Sequence, residues 1–225
     1  MAHTNRTLVI IGAGGHGKVV GEIAELSGVY SKIVYLDNDT SIEFCLSYPV
    51  VGTTDDWVKY PNADIFIAVG SNATRQKVSE KIGADRLATL IHPTAWVSTH
   101  ATIGKGSVVM AMAVVGVDAK LGTGCIVNTG ATVDHECMLA DFVHISPGAH
   151  LSGQTVVGKR SWFGVGSSSI QNITVGSDVV IGAGGVVVRD LIEPGTYIGI
   201  PAKPVNKNYP IHEHIANTDS DGIHA

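Results

Sequence analysis

Three consecutive polar side chains, Asp134, His135 and Glu136, interrupt a segment otherwise built from small and apolar residues (ATVDHECMLA). An imidazole near its own pKa can take a proton from an attacking nucleophile at neutral pH, and a neighbouring carboxylate can orient the ring and stabilise the imidazolium. Both Asp134 and Glu136 adjoin His135, so the sequence leaves open which of them orients it. A second imidazole, His144, follows nine residues later. Near the N-terminus, Gly12, Gly14 and Gly17 follow an apolar run in the spacing G-x-G-x-x-G, and Asp37 lies twenty residues beyond Gly17. Such a turn lets the backbone approach an anionic group at a helix N-terminus.

The element that must carry His135 is repetitive. From Ile91 to Val187, every sixth residue is large and apolar at sixteen of seventeen positions, with Ser169 the exception. Four residues after each, the side chain is mostly small, as at Ala113, Ala119, Cys125, Ala131, Cys137 and Ala149, and glycine often follows the apolar residue, as at Gly104, Gly116, Gly122, Gly158 and Gly164. Neither an α-helical period nor the alternation of a strand can sustain this pattern. A solenoid of short strands and glycine-tolerant corners can, with one large and one small residue inward per six and three faces to an eighteen-residue coil. Coils stacked about 4.8 Å apart, as neighbouring strands are, would number about five. An ordinary β-sandwich would need turn signals at wider spacing.

On this scheme His135 and Glu136 fall at a corner, where both side chains can face outward. His144 is expected at a corner of the next hexad. Gly153 lies one coil beyond His135, where its N–H could support an oxyanion, and Val165 and Ala183 stack by the same arithmetic. Cys125 and Cys137 occupy the small inward slot and should be buried, which makes them poor nucleophiles. His92, His100 and His150 are read as surface or interface residues, and Trp96, Trp162 and Phe163 as capping or packing the prism.

This repeat resembles the hexapeptide-repeat acyltransferases. The resemblance covers residues 91 to about 205 and includes the segment IGIPAKPV, similar to that family's exit segment. It implies a left-handed parallel β-helix, a homotrimer, and acetyl-coenzyme A held in grooves between neighbouring prisms.

Ahead of the repeat, the segments LVIIGAGG, KIVYLD and ADIFIAVG read as three strands, with helices from about Lys18 to Leu26 and about Ala73 to Ile82. This βαβαβ arrangement is half of a Rossmann fold, so a ligand with one nucleotide is preferred over NAD. The expected organisation is α/β followed by all-β: an α/β domain at 1–90, a β-helix at 91–205 and a polar tail at 206–225, expected to be disordered and not to bind metal through His212 and His214.

A half-Rossmann domain fused to a hexapeptide helix narrows the resemblance to sugar acyltransferases that include bacillosamine-pathway N-acetyltransferases and sialic-acid O-acetyltransferases. That resemblance implies His135 as general base, with Glu136 raising its basicity. It puts acetyl-coenzyme A against His144, Gly153, Val165 and Ala183, and a nucleotide-linked amino sugar against Gly14, Gly15 and His16 in the turn, Asp37 and Asn38, and Gly70. The implied reaction is direct N-acetylation in surface glycan or exopolysaccharide assembly. The rivals are O-acetylation of a sialic acid or other sugar hydroxyl, a non-catalytic nucleotide-binding solenoid, and a nicotinamide-dependent enzyme.

Bulk properties set the remaining bounds. A net charge of -5 with no dense basic cluster gives no reason to expect nucleic acid. No apolar run is long enough to span a bilayer. The three irregularly spaced cysteines, and an N-terminus without the regions of an export signal, point to the cytoplasm.

Overall fold

The structure, a computed structural model, describes residues 6–205; the tail expectation, with His212 and His214, lies outside the described residues. The chain divides into two compact units, the first ending at Leu90 and the second beginning at Ile91.

In the first unit, strands β1 (Thr7–Ile11), β2 (Lys32–Leu36) and β5 (Asp64–Ile67) form a parallel sheet in the order β2-β1-β5. Leu8, Val9, Ile10 and Ile11 are all fully buried, which is why β1 reads as a continuous apolar run without alternation. Helix α1 spans Gly15–Ser27, three residues earlier than the sequence suggested. Gly15 and His16 therefore sit in its first turn and not in the preceding loop. Two of its glycines are required by close packing: a Cβ on Gly17 would overlap the Gly12 carbonyl, and one on Gly21 would overlap the Tyr35 hydroxyl, which donates to the Gly17 carbonyl at 3.0 Å. Helix α2 (Asn72–Ile82) starts at a Ser71 N-cap whose Oγ accepts from the Thr74 N–H. A small antiparallel hairpin, β3 (Phe44–Cys45) with β4 (Tyr48–Pro49), has no counterpart in the sequence reading.

The second unit is a three-faced parallel β-helix. Its first face stacks six strands, Trp96–Val97, Val114–Val115, Thr132–Val133, His150–Leu151, Ser168–Ser169 and Val186–Val187. The second face stacks the strands from Thr102–Ile103 to Thr174–Val175, and the third runs from Leu90–Ile91 through Ile126–Val127, His144–Ile145 and Trp162–Phe163 to Gly195–Ile198. Register is eighteen residues along the apolar repeat, as where Thr132 pairs with His150 and His150 with Ser168, and tightens to sixteen at the end of the rod, where Val175 pairs with Leu191 and Ile181 with Tyr197. The rod has six coils and not five, because pairing continues past the apolar repeat through Leu191 and Gly195–Ile198.

The large and small inward slots are filled as expected except at the start of the rod, where Ile91 is exposed. Val109, Val115, Val127, Val133, Ile145 and Phe163 are fully buried, alternating with Ala113, Ala119, Cys125, Ala131, Cys137 and Ala149. Ser169 keeps its place because its Oγ pairs with the Thr155 hydroxyl at 3.1 Å.

The corners differ from expectation. Left-handed backbone occurs at every sixth position from Gly106 to Gly184, three residues after the apolar slot, and eight of these fourteen positions carry a side chain, among them Asp118, Glu136, Gln154 and Asn172. The glycines that directly follow the apolar slot serve another purpose. A Cβ on Gly158 would lie 2.5 Å from main-chain atoms of Gly176 and Ser177, so those glycines permit close approach of the next coil.

Candidate active site

His135 and Glu136 occupy the turn that leads from the first face to the second. The Cys137 N–H reaches the Asp134 carbonyl at 3.4 Å, closing a turn in which Glu136 takes the left-handed position. That geometry sends two successive side chains outward, and both are about half exposed.

The His135 Nδ1 lies 3.1 Å from Glu136 Oε2. Asp134 turns its carboxylate to the main chain instead, where Oδ1 accepts from the His135 N–H at 2.7 Å. Glu136 is therefore the carboxylate on the ring and Asp134 the one that fixes the backbone beneath it. Gln154, one coil above Glu136, donates from Nε2 to the same Oε2 at 3.2 Å. With Nδ1 facing a carboxylate, Nε2 is the nitrogen left to act as a base. A Cβ on Gly153 would overlap Nε2 and Cε1 of that ring, so Gly153 lies directly against this edge of the imidazole.

His144 is not at a corner. It lies within the strand His144–Ile145 of the third face, only 8% exposed, with Ile126 and Trp162 as its ladder neighbours. Its ring stacks on the Trp162 indole, with centroids 5.3 Å apart and planes 6° from parallel, and its Nε2 lies 3.2 Å from Asn128 Nδ2. Trp162 thus faces out of the prism, while Phe163 fills it. Val165 and Ala183 stack as expected, the Gly184 N–H donating to the Val165 carbonyl at 2.8 Å. Their corner joins the third face to the first. Within one chain, then, His135 and Gly153 share one edge, Val165 and Ala183 share another, and His144 lies on the face that does not meet the His135 edge.

In the first unit the carboxylate of Asp37 is buried, accepting from the Ala13 N–H at 2.7 Å and the Asp39 N–H at 2.9 Å. It braces the glycine turn. Asn38 accepts from Thr54 through both the main chain and the hydroxyl. Gly70 follows β5 with open space where a Cβ would stand. Its carbonyl accepts from Arg75, a buried residue that also donates to Val69 and Asn72. The His16 Nε2 is buried without a hydrogen-bond partner, and burial, reinforced by the Arg75 charge, pushes its pKa down to about 4.

Arg75, Gln154, Asn128 and Trp162 were not anticipated as site residues. Gln154 could have been found by adding eighteen to Glu136; Arg75 carries no comparable signal. Cys125 and Cys137 are buried, and burial pushes the Cys137 thiol up. Among the described residues no cluster of three or more potential metal ligands occurs, and no helix is long and apolar enough to cross a membrane.

Residues 7–82 match the family model described as the PglD N-terminal domain. The acetyltransferase domain of PglB from Neisseria gonorrhoeae FA1090, solved also with acetyl coenzyme A, is 51% identical, with a TM-score of 0.86 over 90% of this chain and 100% of that one. The chain belongs to the hexapeptide-repeat sugar acetyltransferases. A second solved member of this family, PerB from Caulobacter crescentus in complex with CoA and GDP-perosamine, is 38% identical over 92% of this chain and 100% of its own, with a TM-score of 0.83. The UDP-N-acetylbacillosamine N-acetyltransferase of Bacillus subtilis (strain 168) is 36% identical over 112 residues, 47% of this chain and 52% of that protein. The β-helix is the left-handed coil of this family.

Proposed function

We propose that the chain is an acetyl-coenzyme A dependent N-acetyltransferase acting on the amine of a nucleotide-linked sugar, a UDP-linked 4-amino sugar in the first instance, by direct transfer. The observation that carries this reading is the His135–Glu136 pair, with Nδ1 on the carboxylate and Nε2 against Gly153. The sugar amine attacks the thioester carbonyl while His135 Nε2 takes its proton; the tetrahedral oxyanion is held by the Gly153 N–H. The C–S bond then breaks, and the proton passes to the departing thiolate. Most primary amines are ammonium at neutral pH, so the reaction requires the free-amine form and a base of imidazole strength. Glu136 stabilises the imidazolium formed on the way.

Acetyl-coenzyme A is assigned to His144, Gly153, Val165 and Ala183. These residues lie on separate edges and faces of one chain, which favours a homotrimer whose neighbouring copies complete each site. The sugar nucleotide is assigned to Gly14, Gly15, His16, Asp37, Asn38 and Gly70. The similarity to enzymes named for N-acetylation favours an amine over a hydroxyl acceptor. Cytoplasmic sugar-nucleotide chemistry ahead of surface glycan or exopolysaccharide assembly is the setting this activity fits.

The test measures acetyl-coenzyme A consumption with UDP-4-amino sugars against free sialic acid, for the wild type and for His135→Ala. Turnover on the amino sugar, lost by about a hundredfold or more in His135→Ala, is the expected result. Turnover that survives His135→Ala but not Cys137→Ala would overturn the mechanism, and preference for sialic acid would overturn the substrate.

A further inference from the structure

The imidazole of His144 is held in one protonation pattern by neighbours whose own roles are fixed by the backbone. The Thr129 N–H lies 2.8 Å from one terminal atom of the Asn128 amide. A main-chain N–H can only donate, so that atom is Oδ1, and the other, facing His144, is the Nδ2 amino group. An amide NH₂ can only donate in turn. His144 Nε2, 3.2 Å away, must therefore be an unprotonated acceptor, and the proton of the neutral ring lies on Nδ1. A proton on Nε2 would set two donors against each other.

The plane of the ring is fixed separately. Trp162 pairs with His144 in the parallel ladder one coil on and stacks over it. The indole cannot swing away without losing the hydrogen bond from its Nε1 to the Ser146 Oγ, 2.6 Å long and made to a buried hydroxyl. Asn128, His144, Ser146 and Trp162 thus form one connected network on the third face.

We propose that Asn128 and Trp162 are positioning residues for His144: the amide sets its Nδ1–H tautomer and the indole its plane, so that with Nε2 occupied and Nδ1 buried the ring meets acetyl-coenzyme A as a fixed, neutral surface with no free acceptor nitrogen. The functional half rests on the assignment of His144 to the cosubstrate. The two imidazoles then divide the labour through opposite chemistry. His135 presents a bare Nε2 that accepts a proton, whereas His144, its Nε2 held by Asn128 and its Nδ1 buried, accepts none.

Histidine-selective ¹⁵N labelling of the full chain, read by long-range ¹H–¹⁵N correlation, tests the tautomer directly, with the His144 signals assigned by their loss in His144→Gln. The Nδ1–H pattern is expected in the wild type, changing to protonated Nε2 in Asn128→Asp, where a carboxylate can only accept. The KM for acetyl-coenzyme A should rise about tenfold in Asn128→Asp, the worth of one hydrogen bond, with a smaller change in kcat. Trp162→Leu should raise the same KM with the tautomer unchanged, and Trp162→Phe, which keeps a ring to stack, should restore most of it. An Nε2–H pattern in the wild type, or one unmoved by Asn128→Asp, overturns the proposal whatever the kinetics. A wild-type KM in Trp162→Leu overturns the indole's part. If the tautomer is as stated but His144→Gln leaves the acetyl-coenzyme A KM unchanged, the cosubstrate assignment of His144 fails and the functional half falls with it.

Discussion

The His135 ring occupies the space that a side chain at position 153 would need. A Cβ on Gly153 would overlap Cε1 and Nε2 of that imidazole, the end of a half-exposed side chain that can swing outward. Gly153→Ala should therefore cost little stability, because the ring yields and the backbone does not. If His135 is the base proposed above, moving its ring away from the attacking amine should lower kcat by up to about a hundredfold. Thermal unfolding and steady-state kinetics on the same preparation separate the two effects; a large loss of stability with kcat intact would contradict this reading.

Glu136→Gln keeps the shape at the corner and removes the charge. Without an adjacent anion the imidazolium formed during transfer is less stabilised, so kcat should fall by about tenfold or more. Steady-state kinetics at saturating amino sugar check this, and an unchanged kcat would remove Glu136 from the mechanism.

The two kinds of glycine in the rod predict different losses. Gly158→Ala forces a Cβ onto the main chain of the next coil, which cannot yield, and should cost about 3 kcal/mol, the upper end for overpacking. Gly148→Ala meets no atom within 4 Å and suffers only from its φ of 62°, a cost of about 1 kcal/mol. Urea unfolding of both variants checks the order.

His16 predicts a pH dependence of stability. Its folded pKa, lowered to about 4 from 6.5, means that the unfolded chain binds a proton the folded one refuses between those values. Stability should therefore be fully present above about pH 6.5 and fall as the pH drops toward 4. Unfolding midpoints across that window should show the slope, and His16→Gln should flatten it.

Much of the rod was legible because six-residue spacing leaves each side chain one of six environments. The inward slots followed directly, as did the outward aim of His135 and Glu136. What the period does not encode is which backbone conformation each slot takes, so the glycines after the apolar slot looked like corner residues when they are sites of close coil-to-coil approach. Trp162 and Phe163 are adjacent and both aromatic, and only the register on the third face separates the outward indole from the inward ring. The place of His144 on a strand was missed for the same reason. In the first unit, β1, β2 and β5 read clearly as buried apolar runs, but the early start of α1 depends on Gly15 and His16 entering a helix without a side-chain cap. The burial of Arg75 and the bracing role of Asp37 arise from tertiary packing, which no local pattern announces.

The eighteen-residue register also limits how such a molecule can change. Removing one complete coil would shorten the rod while leaving every remaining side chain on its original face. Removing a single hexad would turn everything downstream by a third of a revolution, carrying His144 and Trp162 round to where a different wall had been. Loss of one residue would exchange interior for exterior along the rest of the rod. Within the run of eighteen-residue coils, variation in length can therefore come only in whole coils, or in loops thrown out from the edges.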